Sequence, residues 1–160
     1  MTHVKPRNRQ GWQRHKYKLN GVILLLPLLF LYQSLNPRFP EAWSAQRIGQ
    51  FEIAPMPLDL KPPYAHHEKY VKDFYVAFTQ GEISDIRQAY LTIGPTALSL
   101  STLQQGDDGI LHGSRHGQHA HAIAPANMTP ADRLWLTLET WQGDVLVLSW
   151  PIPDTLISAS

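Results

Sequence analysis

The 160-residue sequence predicts an all-β domain, an immunoglobulin-like β-sandwich of about seven short strands, preceded by one N-terminal transmembrane helix. Three observations carry that expectation. A continuous apolar run stands near the N-terminus, apolar and polar residues alternate with period two through the remainder, and thirteen prolines interrupt the chain too often for long helices. With 43% hydrophobic and 17% charged residues, the chain has enough apolar surface to fold. The absence of cysteine excludes disulfides, thiolate metal sites and cysteine nucleophiles.

Residues 1–18 form a basic tail. Lys5, Arg7, Arg9, Arg14, Lys16 and Lys18 precede the first acid, Glu41, and the rest of the chain carries eight basic against thirteen acidic residues. The net charge of +1 therefore joins a +6 tail to a −5 remainder, which disfavours nucleic acid as a partner of the folded part. Residues 19–35 follow without a formal charge, and their centre, Gly21 to Tyr32 (GVILLLPLLFLY), is apolar throughout apart from the amphipathic tyrosine. A bilayer core of about 30 Å takes about 20 helical residues, so the segment spans at the short end of the range. Pro27 is tolerated in a lipid-embedded helix. The positive-inside rule places the tail in the cytoplasm and the rest outside, making a single-pass inner-membrane protein with a periplasmic domain. A cleaved signal peptide is the rival. Its one small-x-small site, Ala42-Trp43-Ser44, lies about twelve residues beyond the apolar run, which favours retention of the anchor.

Residues 36–47, with Pro37 and Pro40 and no clean periodicity, read as an extended spacer. The domain is expected over residues 48–154, with 155–160 a C-terminal tail. Phe74, Val76 and Phe78 alternate in one strand. Ile86 to Ile93 reads as a second, although Ile83, Ile86 and Tyr90 would also suit a helix face. Ala97 to Leu103 alternates as a third and ends in a turn at residues 104–109. Leu134 to Thr140 and Val145 to Trp150 form a hairpin through Gln142-Gly143-Asp144, with Leu134, Leu136 and Leu138 on the buried face. Trp135 and Trp141 share the opposite face, as a second packed surface or as a platform for a partner. A small open barrel is the alternative arrangement of the same strands.

The histidines carry the distinctive chemistry. His112, His116, His119 and His121 fall within ten residues, and His66 and His67 follow a stiff Pro62-Pro63 lead. Imidazole is the commonest protein ligand for copper and zinc. His119 and His121 on a strand share one face about 6.6 Å apart along the chain, and a third ligand comes from His112 or His116, or from His66 or His67. Met56 and Met128 are possible soft ligands for Cu(I). The plain alternative is a polar loop whose histidines hydrogen-bond to neighbouring strands together with Arg115 and Asp108.

Enzymatic signatures are missing. Ser99, Ser101 and Ser114 lie near histidines without a Gly-x-Ser-x-Gly elbow, there is no His-Glu-x-x-His, and Asp107 and Asp108 look like turn formers. The expected function is that of a membrane-anchored periplasmic accessory protein that binds or traffics copper or zinc and passes the ion to a membrane-protein partner. The second expectation is a metal-free interaction module, an accessory subunit of an inner-membrane transport, respiratory or secretion complex.

Overall fold

The computed structural model describes residues 9–36, 39–114 and 117–158. The chain divides into two units, Met1–Arg38 and Phe39–Ser160. In the first, α1 (Arg9–Leu35) is a 27-residue helix with Pro27 inside it. Every valine, isoleucine and leucine from Val22 to Leu31 is exposed, so this stretch of the helix is apolar on all sides with no face turned to a core of its own. Among the described residues no helix is long and apolar enough to cross a membrane.

In the second unit nine strands make one continuous sheet. They are β1 (Gln46–Ile48), β2 (Phe51–Pro57), β3 (Tyr64–His66), β4 (Lys69–Gln80), β5 (Ile86–Gly94), β6 (His112–Ser114), β7 (Gly117–Ala124), β8 (Arg133–Thr140) and β9 (Val145–Pro151). The order across the sheet is β1-β2-β4-β7-β5-β8-β9, with β3 added to β4 and β6 to β7. All of these pairings are antiparallel except β5 with β7, which meet in parallel at Thr92 and Ile123. The two ends of the order approach each other, where the Gln46 side-chain amide donates to the Ser149 carbonyl at 2.9 Å and the Trp150 indole donates to the Ser44 carbonyl at 2.8 Å. This nearly closed, barrel-like curl replaces the two facing sheets expected of an immunoglobulin-like sandwich. Period-two alternation is common to both arrangements, and only the long-range pairing distinguishes them.

The inside of the curl is the core. Leu134, Leu136 and Leu138 of β8 point into it, as the alternation predicts, with Leu91 and Ile93 of β5, Phe51 and Ile53 of β2, Phe74 and Val76 of β4, and Trp150 of β9. β7 contributes only Ala120, Ala122 and Ala124, and Ala120 sits directly opposite Phe74. Small residues on this strand leave room for large ones on its neighbours. Lys72, buried to 2% exposure, also lies on the inner side and is paired with Asp59 of the β2–β3 loop. Burial acts to raise the Asp59 carboxyl, but the hydrogen bonds from Lys72 and from the Lys61 amide outweigh it and hold the group below its usual value.

Other elements depart from the expectation. Ala97 to Leu103 is not a strand. Ser99 accepts from the Thr102 amide and starts a one-turn helix, α2 (Leu100–Leu103), because a serine ahead of a leucine pair caps better than it continues an alternation. The expected spacer is built into the sheet at its end, with Gln46–Ile48 forming β1 and Trp43 packing on Phe74. At the other terminus a second one-turn helix, α3 (Asp154–Ile157), buries Leu156.

Candidate metal centre

The histidine site is assembled by register on the outer face of β3, β4, β7 and β6. Along β7 the even positions Ala120, Ala122 and Ala124 are buried, so His119 and His121 necessarily point outward. Their ring centroids lie 6.5 Å apart. On one side β4 places Asp73 opposite His121 and Tyr75 opposite His119. On the other side β6 places His112 opposite His119, with ring centroids at 3.9 Å. β3 adds Tyr64 and His66, whose partners on β4 are Val71 and Lys69, and the His66 ring stacks on that of His121 at 5.5 Å.

Two glycines make the β6 placement possible. Gly113 has φ +146°, and a side chain there would collide with the Gly117 carbonyl oxygen. Gly109 has φ +78°, and a Cβ would come within 2.7 Å of the Leu91 carbonyl oxygen. That carbonyl approach is required because residues 109–111 run beside β5, Leu91 donating to Gly109 at 2.7 Å and Leu111 to Ala89 at 2.8 Å, before the chain crosses to β7 as β6. The Lys69–Asp108 ion pair, 2.9 Å, ties this segment to the start of β4.

The hydrogen bonds define which ring nitrogens are free. His121 Nδ1 donates to Asp73 at 2.5 Å, and the Tyr64 hydroxyl donates to the same carboxylate at 3.1 and 3.2 Å. His112 Nδ1 donates to the Ile110 carbonyl at 3.0 Å. Carbonyl and carboxylate oxygens only accept, so in the neutral rings both protons sit on Nδ1 and Nε2 carries the lone pair. Partial burial, followed by the neighbouring His112 and His121, holds His119 below its usual pKa, with Asp73 opposing. Burial and then the bond to Asp73 raise the Tyr64 phenol, which keeps its proton and donates. A groove of about 630 Å³ opens beside the rings between His66, Lys69, Asp108 and His112. A smaller cleft of about 130 Å³ lies between Asp73, His119 and His121.

Of the six histidines singled out from the sequence, the fold brings His66, His112, His119 and His121 onto one face. His67 occupies the β3–β4 turn with φ +53° and its ring lies 4.3 Å from that of His66, at the edge of the cluster. His116 and Arg115 lie outside the described residues. Among the described residues no group of three or more histidine, aspartate or glutamate side chains is already drawn together for a metal ion. The ring separations of 3.9, 6.3 and 6.5 Å among His112, His119 and His121 lie on either side of the roughly 5 Å that imidazoles sharing one ion at about 2.0 Å adopt. Met128 is buried in the core and is no ligand. Asp73 and Tyr64 were not anticipated from the sequence. The available signal was an acid on the outward positions of the strand whose inward positions are Phe74 and Val76.

Residues 11–153 match the family described as Uncharacterised conserved protein UCP029505. The chain belongs to that family. No curated protein and no solved structure matches it. The UCP029505 match takes in both α1 from Gly11 onward and the whole sheet, so helix and histidine face belong to one family unit.

Proposed function

We propose that this protein binds a transition-metal ion, copper or zinc, at the outward face of β7, with His119 and His121 as principal ligands, His112 and His66 completing the set, and His67 at its margin. The single observation that carries the reading is the paired use of Nδ1. His121 and His112 each spend that nitrogen on a fixed acceptor, Asp73 and the Ile110 carbonyl, which is the outer-sphere arrangement that orients metal-ligating imidazoles and raises their basicity. Both residues also line the same open groove, so their remaining nitrogens are not committed to a neighbour by any bond described above. The role proposed is that of a binder.

The remainder of the reading concerns placement. The uncharged helical stretch of residues 19–35, preceded by six basic residues, supports a single-pass inner-membrane anchor with the tail in the cytoplasm and the sheet in the periplasm. Tethering raises the effective concentration at a neighbouring membrane protein, to which an exposed and incompletely enclosed ion can be passed. Calorimetric titration of the full-length chain in detergent with zinc and with copper tests the metal reading. Retention of neither ion more tightly than about 10 μM, a level that scattered surface histidines could match, overturns it in favour of the metal-free interaction module.

A further inference from the structure

We infer that the ion taken by this face is copper in its cupric state, Cu(II), held by nitrogen and oxygen donors alone; the inference rests on the metal-binding reading above and goes beyond it by naming the oxidation state. The donor chemistry decides. Cu(I) is selected by thiolate and thioether sulfur, whereas imidazole and carboxylate donors favour Cu(II), which also heads the affinity order of the divalent first-row ions. The chain has no cysteine and three methionines. Met128 is 4% exposed inside the curl, on the wrong side of the sheet. Met56 does lie on the outer face, but its cross-strand partner is Tyr75, which stands between β2 and β7 and whose ring centroid is 6.4 Å from that of His119. Two strand spacings, about 9 to 10 Å, separate the Met56 backbone from β7, and an aromatic ring fills the interval. Met1 lies outside the described residues.

What does reach the cluster is nitrogen and oxygen. His66, His112, His119 and His121 supply imidazoles, and the Asp73 carboxylate and Tyr64 hydroxyl stand behind His121. The groove beside the rings leaves room for water in the further positions of a tetragonal Cu(II) ion.

Full-length chain in detergent is given one equivalent of cupric sulfate in air and desalted, while a second portion is offered Cu(I) as its bicinchoninate complex under nitrogen. Cu(II) is expected to stay with the protein, to displace zinc when the two compete, and to show the electron paramagnetic signature of nitrogen coordination. Cu(I) is expected to remain with bicinchoninate. The paired change His119→Ala/His121→Ala should abolish retention of Cu(II); if its circular dichroism shows unfolding, the single change His119→Gln at an exposed side chain is read instead. Asp73→Asn should lower Cu(II) affinity about 10- to 100-fold and alter the paramagnetic spectrum, the scale expected for an outer-sphere partner. Withdrawal of Cu(I) from bicinchoninate, or retention of zinc that Cu(II) cannot displace, overturns the inference while leaving the metal site standing. Failure to retain any of the three ions removes both.

Discussion

β7 and β8 are built on the same plan and end differently. Each turns alternate side chains into the core, alanines on β7 and leucines on β8. Their outward rows diverge. On β8, Thr137 and Glu139 are buried although they point away from the core, and Glu139 accepts from Arg87 and Gln88 on neighbouring β5. Trp135, on the same row, donates its indole N–H to the Gly94 carbonyl at 2.9 Å. On β7, His119 is exposed and His121 half-buried, His121 is bonded through Nδ1 alone to Asp73 and Tyr64, and both residues line an open cleft. Polar groups that close upon one another hold a fold together, while polar groups oriented by a second layer and left open are available for a ligand.

Four measurements break or sharpen that contrast, from the largest expected effect to the smallest. Leu136→Ala, at a side chain 2% exposed within the core, should destabilise the domain by about 2 to 5 kcal/mol in denaturant unfolding, and a neutral result would invert the faces of β8. Glu139→Ala strips Arg87 and Gln88 of their shared acceptor and should cost about 1 to 3 kcal/mol by the same assay, which would vanish if this outward row were as idle as an ordinary surface. Asp59 should stabilise the fold at neutral pH and cease to do so in acid. Its folded pKa lies below the ordinary 3.8, so its contribution is present above that value and is lost as pH falls through the lower folded one. Acid unfolding of Asp59→Asn should therefore begin at higher pH than that of the unaltered chain, with the difference confined to the region where the carboxylate would be ionised. Last, His119→Gln should change stability by no more than about 0.5 kcal/mol while weakening metal retention, because its exposed ring supports no core contact. A large stability loss there would make β7 a second β8. Since His119 sits below its usual pKa, proton competition at this ring should set in at lower pH than for an unperturbed histidine, which a metal titration repeated at stepwise lower pH would show.

The inward rows were legible and the outward ones were not. Leu134, Leu136, Leu138, Phe74 and Val76 announce their strands through local alternation, and the β8–β9 turn at Gly143 is a local matter too, with φ +89°. His119 and His121 also follow from local spacing. The pairings that give those rings their meaning, Asp73 with His121 and His112 with His119, belong to register. The Asp73 contact spans 48 residues, and no local pattern reports it. Closure of the sheet was illegible for the same reason. Ala97 to Leu103 failed differently, since its alternation is real but Ser99 can cap a turn, and local hydrogen bonding won over strand pairing.

The seam where the sheet meets itself has a bearing on timing. Its two side-chain staples join residues 103 and 106 positions apart in the chain, and one of them is the indole of Trp150. A ribosome delivering this chain from its N-terminus makes β1 about a hundred residues before Trp150, so the curl cannot shut until that residue has been made. Until then the free edge of β1 waits without its distant neighbour, and the search for it carries the entropy of a very long loop. Closure is therefore expected as a late and slow step, and the interval before it is when the apolar interior is most open to chaperones and to other nascent chains.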